Sequence, residues 1–123
     1  MGLFSSLYQW WGAADAKPAR QRSPHWPAVR AAHLKRFPEC AACGGAKALE
    51  VHHKQPFHAF PGLELIDSNL ITLCEAPGRN CHYSLGHAYN WRGWNPHVED
   101  DAAMFRQRVE QSRALAQTSK GAA

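Results

Sequence analysis

The pattern of hydrophobic and polar positions predicts a helix followed by two strands. From Pro27 to Phe37, apolar side chains recur at helical spacing behind a proline that suits a first turn, and Pro38 ends the pattern. Residues 48–57 and 70–74 are short strand-like runs. The loop between them contains Pro61-Gly62 and Asp67-Ser68-Asn69, which favour turns.

The C-terminal third predicts two more helices. A short helix is expected over residues 81–89. Asn95-Pro96 then suits an N-cap followed by proline at the first helical position, and the acids at positions 99–101 suit a helix N-terminus. An apolar stripe continues the second helix to about residue 117, and residues 118–123 are expected to be a frayed tail. The stripe consists of Val98, Ala102, Phe105, Val109 and Ala116.

The 123 residues correspond to one domain, which we expect to span residues 26–117. Residues 1–25 are expected to be a flexible segment that ends in a basic linker. Its first twelve residues are apolar and aromatic, and we interpret them as a poorly ordered terminus, with a docking segment as the alternative. Neither a run of 18 apolar residues nor a signal-peptide pattern occurs, so no membrane partner is expected and the cytoplasm is the expected compartment.

Charge adds only a weak indication of a partner. The net charge is +4, and the first 56 residues carry eight lysines and arginines against three acids. A basic half favours a polyanion, but a charge of this size does not identify one.

Cysteine spacing is more informative. All four cysteines lie between positions 40 and 81, and the first pair is a C-x2-C followed by Gly-Gly. Outside an oxidising compartment, such clustering favours metal ligands over disulfides. We predict that Cys40, Cys43, Cys74 and Cys81 hold a structural Zn²⁺. The alternative is four reduced, buried cysteines without a metal.

The histidines form a second candidate group. His52 and His53 are neighbours on a predicted strand, so they point to opposite faces and cannot share one task. His82 directly follows Cys81, and His87 lies five residues later, near the limit for sharing a helix face. The alternative is that these histidines are surface polar residues.

Three segments together resemble the HNH endonuclease motif. They are Val51-His52-His53-Lys54-Gln55-Pro56, Ser68-Asn69-Leu70-Ile71-Thr72-Leu73-Cys74 and Cys81-His82. The cysteine pairs resemble those of zinc-bound HNH proteins, and the segment from Cys81 to Trp94-Asn95-Pro96 resembles small phage and bacterial members. The resemblance covers residues 26–105. It departs from the family in the six residues between Cys74 and Cys81, where the family often has two.

The resemblance implies an α+β fold. Its centre would be a ββα-metal (His-Me finger) core with the four-cysteine zinc site, flanked by an N-terminal and a C-terminal helix. The implied ligands of one catalytic divalent ion are His52 and His82, with His87 as an additional candidate. His53 is the implied general base, for which an imidazole with a pKa near 6.5 is suited. Asn69 would hydrogen-bond to hold the hairpin and the His53 ring.

The implied activity is metal-dependent hydrolysis of DNA phosphodiester bonds, by nicking or by double-strand cutting, with 3′-hydroxyl and 5′-phosphate ends. The catalytic ion would be Mg²⁺ or another divalent cation such as Mn²⁺, Ni²⁺ or Co²⁺. The partners would be double-stranded DNA and phage-packaging or other DNA-processing proteins, in a bacterial or phage-infected cell. The candidate phosphate contacts are Lys54, Arg79, Arg30, Lys35 and Arg36.

Two alternatives accompany this interpretation. A non-catalytic zinc module that binds nucleic acid or protein would keep the cysteines but would not need Asn69 or the Cys81-His82 pair. A redox C-x2-C protein is disfavoured because no βαβ pattern surrounds Cys40. Trp91 and Trp94 are interpreted as core residues under the C-terminal helix rather than as stacking platforms for bases.

Overall fold

The computed structural model describes residues 21–122, which form two helices, two strands and three short helical turns. Helix α1 spans Trp26–Arg36, strand β1 Leu49–His53, strand β2 Leu70–Cys74 and helix α2 Val98–Ala122. The turns are the 3-10 turns Pro61–Leu63 and Asp67–Asn69 and a π-helical turn, His82–Gly86. The small α+β class predicted from the sequence is confirmed, whereas the predicted short helix over residues 81–89 is this single π-helical turn.

The two strands form an antiparallel sheet whose register places His52 opposite Ile71 and His53 opposite Leu70. Strand β2 has the predicted bounds. Strand β1 ends at His53 rather than near residue 57, because only one further backbone–backbone hydrogen bond to the β2 side, from the Lys54 N–H to the Asn69 carbonyl (2.7 Å), follows before the chain turns away. Successive side chains alternate between faces, so His52 and His53 lie on opposite sides of the sheet.

The core is small and surrounds the cysteines. All four cysteines are buried, together with Leu73 of β2 and Val98 and Ala102 of α2. The predicted apolar stripe of α2 is therefore only partly used, because Phe105 is 42% exposed and Ala116 is also exposed. The first turns of α2 are the part that contributes to the core.

The ends of α2 differ from the predicted ones. The helix begins at Val98, because the Asn95 side chain accepts a hydrogen bond from the His97 N–H (2.9 Å) in a turn that precedes the helix. It extends to Ala122 rather than ending near residue 117, so its last turns reach into the segment that was expected to be frayed. No helix within residues 21–122 has the length and apolarity needed to cross a bilayer.

The residues just before α1 contact the folded part. Residues 1–20 of the predicted flexible segment lie outside the described residues. Arg22 and Ser23 contact the loop between the strands: the Ser23 N–H donates to Glu64 Oε1 (3.1 Å) and Arg22 lies 3.5 Å from the same carboxylate. The buried Glu64 carboxylate thus has partners from the described residues that precede α1.

Candidate functional site

The four cysteines form a closed group, which we call the sulfur cluster. Their sulfur atoms all lie within 4.8 Å of one another, and the Sγ atoms of Cys43 and Cys74 are 3.7 Å apart. Tetrahedral coordination at about 2.3 Å places sulfur atoms about 3.8 Å apart, whereas a disulfide is about 2.05 Å long. Four buried, convergent thiols thus suit zinc, and no cysteine of the described chain is in a disulfide.

Turn geometry closes this cluster. The Cys43 N–H donates to Cys40 Sγ and the Gly45 N–H to Cys43 Sγ, both at 3.4 Å, as expected where a short turn presents thiolates to one ion. Between Cys74 and Cys81, the Arg79 and Asn80 N–H groups both donate to the Ala76 carbonyl. This small loop brings the wider pair together despite its six intervening residues.

The ionisation of the sulfur cluster favours a cation. The Cys81 thiol hydrogen-bonds to Cys40, which lowers the pKa of Cys40 to about 4 and raises the pKa of Cys81. Burial raises the pKa of Cys43. Thiolates this close repel one another, so all four sulfurs can be negative together only beside a positive ion.

Three histidines form a second group, the histidine trio of His52, His82 and His87. One ring nitrogen of each lies within 4.8 Å of those of the other two, and the three ring centroids are 4.8 to 5.1 Å apart. His52 comes from β1, and the other two come from the two ends of the π-helical turn.

The π-helical turn explains why His87 joins the trio. Its defining hydrogen bond runs from the His87 N–H to the carbonyl of His82 (3.1 Å), five residues earlier. In an α-helix the repeat is shorter and the two side chains would diverge. The wider turn places both rings on one side, beside His52. After it, Ala88 and Tyr89 adopt left-handed backbone conformations, with φ of 51° and 64°.

Close approach of this turn to β1 depends on Gly86. A Cβ atom at this position would lie 3.1 Å from Cε1 of His52 and 3.2 Å from Cδ1 of Leu73. The missing side chain therefore lets the backbone of the turn pack directly against the His52 ring.

Hydrogen bonds orient two rings of the trio. His87 Nδ1–H donates to the Gly93 carbonyl (2.8 Å), and His82 Nδ1–H donates to Glu75 Oε1 (2.9 Å). The lone pairs of both rings are then on Nε2, and these two atoms face each other at 3.2 Å. Two lone pairs at this separation repel unless a cation lies between them. Imidazole ligands of one tetrahedral ion at about 2.05 Å would be about 3.3 Å apart.

The environment of the third ring, His52, also indicates that the trio binds a metal ion. Nε2 of His52 is buried and has no hydrogen-bond partner among the described residues. Burial, together with the charges that His82 and His87 would carry, lowers the pKa of His52 to about 3. Burial also lowers the pKa of His87. Both rings are therefore neutral at neutral pH, which is the form that binds a metal.

Glu75 provides a test of this arrangement. Replacing Glu75 by alanine is expected to weaken Mn²⁺ binding to the zinc-loaded protein by about 10- to 100-fold, because the carboxylate that orients His82 is lost. Titration calorimetry measures the change. Asp100→Ala, which removes an exposed acid elsewhere, is the control and should bind as the unchanged protein does. Equal affinity in both variants would contradict a metal-binding trio.

His53 lies on the other face of the sheet. Its Nε2–H donates to the Glu64 carbonyl (3.0 Å), and its ring packs against Trp26 at 4.6 Å between centroids. The lone pair is therefore on Nδ1, which has no hydrogen-bond partner in the described part of the chain. Burial lowers the pKa of His53, so the ring is neutral at neutral pH and can accept a proton.

Asn69 holds the loop rather than the His53 ring. Its side chain accepts a hydrogen bond from the Gln55 N–H (2.9 Å) and donates to the carbonyls of Gln55 and Leu63. The hydrogen-bond partner of the His53 ring is the carbonyl of Glu64, the residue after Leu63. Asn69 thus acts on His53 through the loop that carries this carbonyl.

Most of the predicted phosphate contacts are already paired. Three of the five basic side chains form ion pairs and a fourth lies beside a thiol. The pairs are Arg30 with Glu50, Arg36 with Asp67, Lys54 with Glu99 (2.9 Å), and Arg79 with Cys43. Of the five, only Lys35 has neither an ion pair nor a thiol neighbour of this kind among residues 21–122. The positive track expected on α1 is therefore largely neutralised.

Three contributors to the site were not predicted from the sequence. Glu75 and the carbonyls of Glu64 and Gly93 fix the histidine rings. A carboxylate directly after Cys74 is a weak signal for the first, whereas backbone carbonyls have no sequence signal. The tryptophan interpretation is also corrected: Trp91 is 53% and Trp94 36% exposed, because α2 packs through Val98 and Ala102 instead.

Comparison with known proteins agrees with this geometry. The family model described as HNH endonuclease matches residues 40–87, a segment that contains the whole sulfur cluster, the histidine trio, His53 and Asn69. This match confirms the resemblance predicted from the sequence. No curated protein and no solved structure matches the chain.

Proposed function

We propose that this protein is a metal-dependent endonuclease that hydrolyses phosphodiester bonds of double-stranded DNA, since residues 40–87 match the HNH endonuclease family model. The observation that carries the proposal is the convergence of the histidine trio. His53, the chain neighbour of His52, has its lone pair on Nδ1 and is therefore able to act as a base. A non-catalytic zinc module would not require the Nε2 lone pairs of His82 and His87 to face each other, so we favour the enzyme.

We assign the two groups different tasks. The sulfur cluster would bind Zn²⁺ with four ligands and is closed, which suits a structural ion. The histidine trio supplies at most three ligands and would leave positions for phosphate and water. We accordingly interpret the fold as a ββα-metal core in which the π-helical turn takes the place of the helix.

His53 would act as the general base. As a neutral ring with its lone pair on Nδ1, it can take a proton from the attacking water, and the Glu64 carbonyl then stabilises the resulting imidazolium at Nε2. Asn69 keeps that carbonyl in place through its bonds to Gln55 and Leu63.

The histidine trio would bind the catalytic ion. A divalent cation there would supply positive charge to stabilise the phosphate oxygens and the leaving 3′ oxygen. Water would attack the phosphorus, the P–O3′ bond would break, and the leaving oxygen would take a proton from solvent, which gives 3′-hydroxyl and 5′-phosphate ends. Imidazole ligands favour Mn²⁺, Co²⁺ or Ni²⁺ over Mg²⁺, by the usual order of affinities.

A supercoiled plasmid tests the proposal. Purified zinc-loaded protein is expected to convert the plasmid to the open circle only when Mn²⁺, Ni²⁺ or Mg²⁺ is added, as measured on an agarose gel. His82→Ala should lose this activity, whereas His97→Ala, at an exposed histidine outside the trio, should retain it. Nicking without added ion, or equal nicking by the two variants, would contradict the proposal.

A further inference from the structure

We propose that a surface beside the histidine trio binds an unpaired DNA strand that leads away from the bond to be cut. The surface consists of an aromatic row (Trp91, Tyr83 and Tyr89) and an arginine groove into which the row leads. The inference rests on the proposed nuclease function, since it concerns where that enzyme's substrate lies. It adds a preference for DNA with unpaired nucleotides, such as a fork or a flap.

The aromatic row begins at the histidine trio. The ring of Trp91 lies 4.9 Å from His87 and 5.4 Å from His82 between centroids. Tyr83 follows at 4.9 Å from Trp91, and Tyr89 at 5.6 Å from Tyr83. Consecutive rings in contact thus form a continuous path from the candidate metal centre outward.

These rings are held facing water. Trp91 is 53% and Tyr89 71% exposed. The Tyr83 hydroxyl donates to the Tyr89 carbonyl (2.6 Å), and the left-handed backbone at Tyr89 fixes the direction of its side chain. Large aromatic surfaces kept in water beside a candidate active site indicate a binding surface.

The arginine groove continues the path. It encloses about 630 Å³ between the π-helical turn, the loop before it and the middle of α2, and Tyr89 forms part of its wall. Its charged lining residues are Arg79, Arg108 and Arg113, and no acidic residue is among the described residues that line it. Arg108 and Arg113 form no ion pair within residues 21–122, unlike Arg30, Arg36 and Lys54.

The alternative is that the arginines only balance the negative sulfur cluster. Arg79 does so, because the neighbouring Cys43 raises the pKa of its guanidinium. Neither Arg108 nor Arg113 is among the groups that shift a cysteine pKa. Balancing the charge of the sulfur cluster would also not explain why the rings of the aromatic row are exposed.

The combination of features favours an unpaired strand over a duplex. Exposed aromatic rings stack on base faces, and base faces are accessible only where bases are unpaired. Arginines without ion-pair partners bind the phosphates between those bases. A duplex would present phosphates but no base faces, so it would use the groove and leave the row without a role.

Binding without catalysis tests the inference. Fluorescence anisotropy, with zinc-loaded protein and no other divalent ion, compares a blunt duplex with a forked duplex of the same sequence that has an unpaired arm. We expect tighter binding of the fork. Tyr89→Ala should weaken fork binding by about 5- to 150-fold, the usual effect of losing one base-stacking ring, and should leave blunt-duplex binding unchanged.

Two controls separate stacking from other effects. Tyr89→Phe keeps the ring and should bind the fork as the unchanged protein does. Phe37→Ala removes an aromatic ring that is 50% exposed and lies outside the row, and it should also have no effect. Equal affinity of the unchanged protein for fork and blunt duplex, or full fork binding by Tyr89→Ala, would overturn the inference.

The arginines have a separate readout. A variant with Arg108→Ala and Arg113→Ala should lower the slope of log affinity for the fork against log salt by about 1.4, because two single-strand phosphate contacts are lost. The control variant, Lys47→Ala with Lys120→Ala, removes equal charge from exposed positions outside the groove and should leave the slope unchanged. A slope lowered equally by both double variants would overturn the role of the groove.

The outcome for this inference can be told apart from that for the nuclease proposal. A preference for the fork without any plasmid nicking would support this inference and contradict the nuclease proposal alone.

Discussion

A Cys74→Ser protein is expected to lose its zinc and its fold together. Cys74 is fully buried at the end of β2, and the core is built around the sulfur cluster that it completes. Structural zinc contributes about 10–16 kcal/mol in small zinc-binding peptides. The net free energy of unfolding of a domain is only about 5–15 kcal/mol. The zinc contribution is of the same size, so we expect the protein to unfold without it. Zinc content by emission spectroscopy and thermal unfolding by circular dichroism measure both effects.

Thr72→Ala is the matched control on the same strand. Thr72 is also buried, and its hydroxyl donates one hydrogen bond, to the Phe37 carbonyl (3.0 Å). Its loss should cost about 1–3 kcal/mol while one zinc ion per chain is retained. A Cys74→Ser protein that is folded without metal, or an unchanged protein that is folded and contains no zinc, would contradict the structural role of the ion.

The His53→Ala variant is expected to retain fold and zinc but to lose about 10²- to 10⁴-fold in cleavage rate, the usual contribution of a general base. The plasmid assay with added Mn²⁺ measures the rate, and zinc content verifies the fold. His58→Ala, which removes an exposed histidine from the following loop, should cleave as the unchanged protein does. Undiminished cleavage by His53→Ala would remove His53 from the mechanism.

The same histidine gives an expected pH dependence. Burial lowers the pKa of His53 below its ordinary value of 6.5. The base is active when neutral, so the rate should fall as the pH decreases through this lowered pKa and should be insensitive to pH just above 6.5. The acid limb of the rate profile, measured with the ion at saturation, tests this.

Those parts of the site that depend on strand geometry could be predicted from the sequence. Alternation along β1 separates His52 from His53 whatever the surroundings, and β2 has the predicted bounds because its apolar run ends at a core cysteine. The convergence of the four cysteines follows from the turn after Cys40 and the small loop before Cys81, both of which have clear turn residues.

Other features depend on contacts that no local pattern specifies. The π-helical turn is set by packing of Gly86 on His52, and only this wider turn carries His87 into the trio. The exposure of Trp91 follows from the packing of α2 through Val98 and Ala102 instead. The pairing of Arg36 with Asp67 and of Lys54 with Glu99 likewise joins residues that are distant along the chain.

The loop between Cys74 and Cys81 has one more consequence. Glu75, which orients His82, directly follows one sulfur ligand, and His82 directly follows the other. One peptide bond thus joins the sulfur cluster to His82, and another joins it to the carboxylate that orients His82, so the geometries of the two groups are coupled. We expect the two ions to bind with positive cooperativity, and thermodynamic linkage requires the same coupling factor in both directions. Zinc occupancy would then set the affinity of the second ion, so that the proposed activity would be low in a cell poor in zinc.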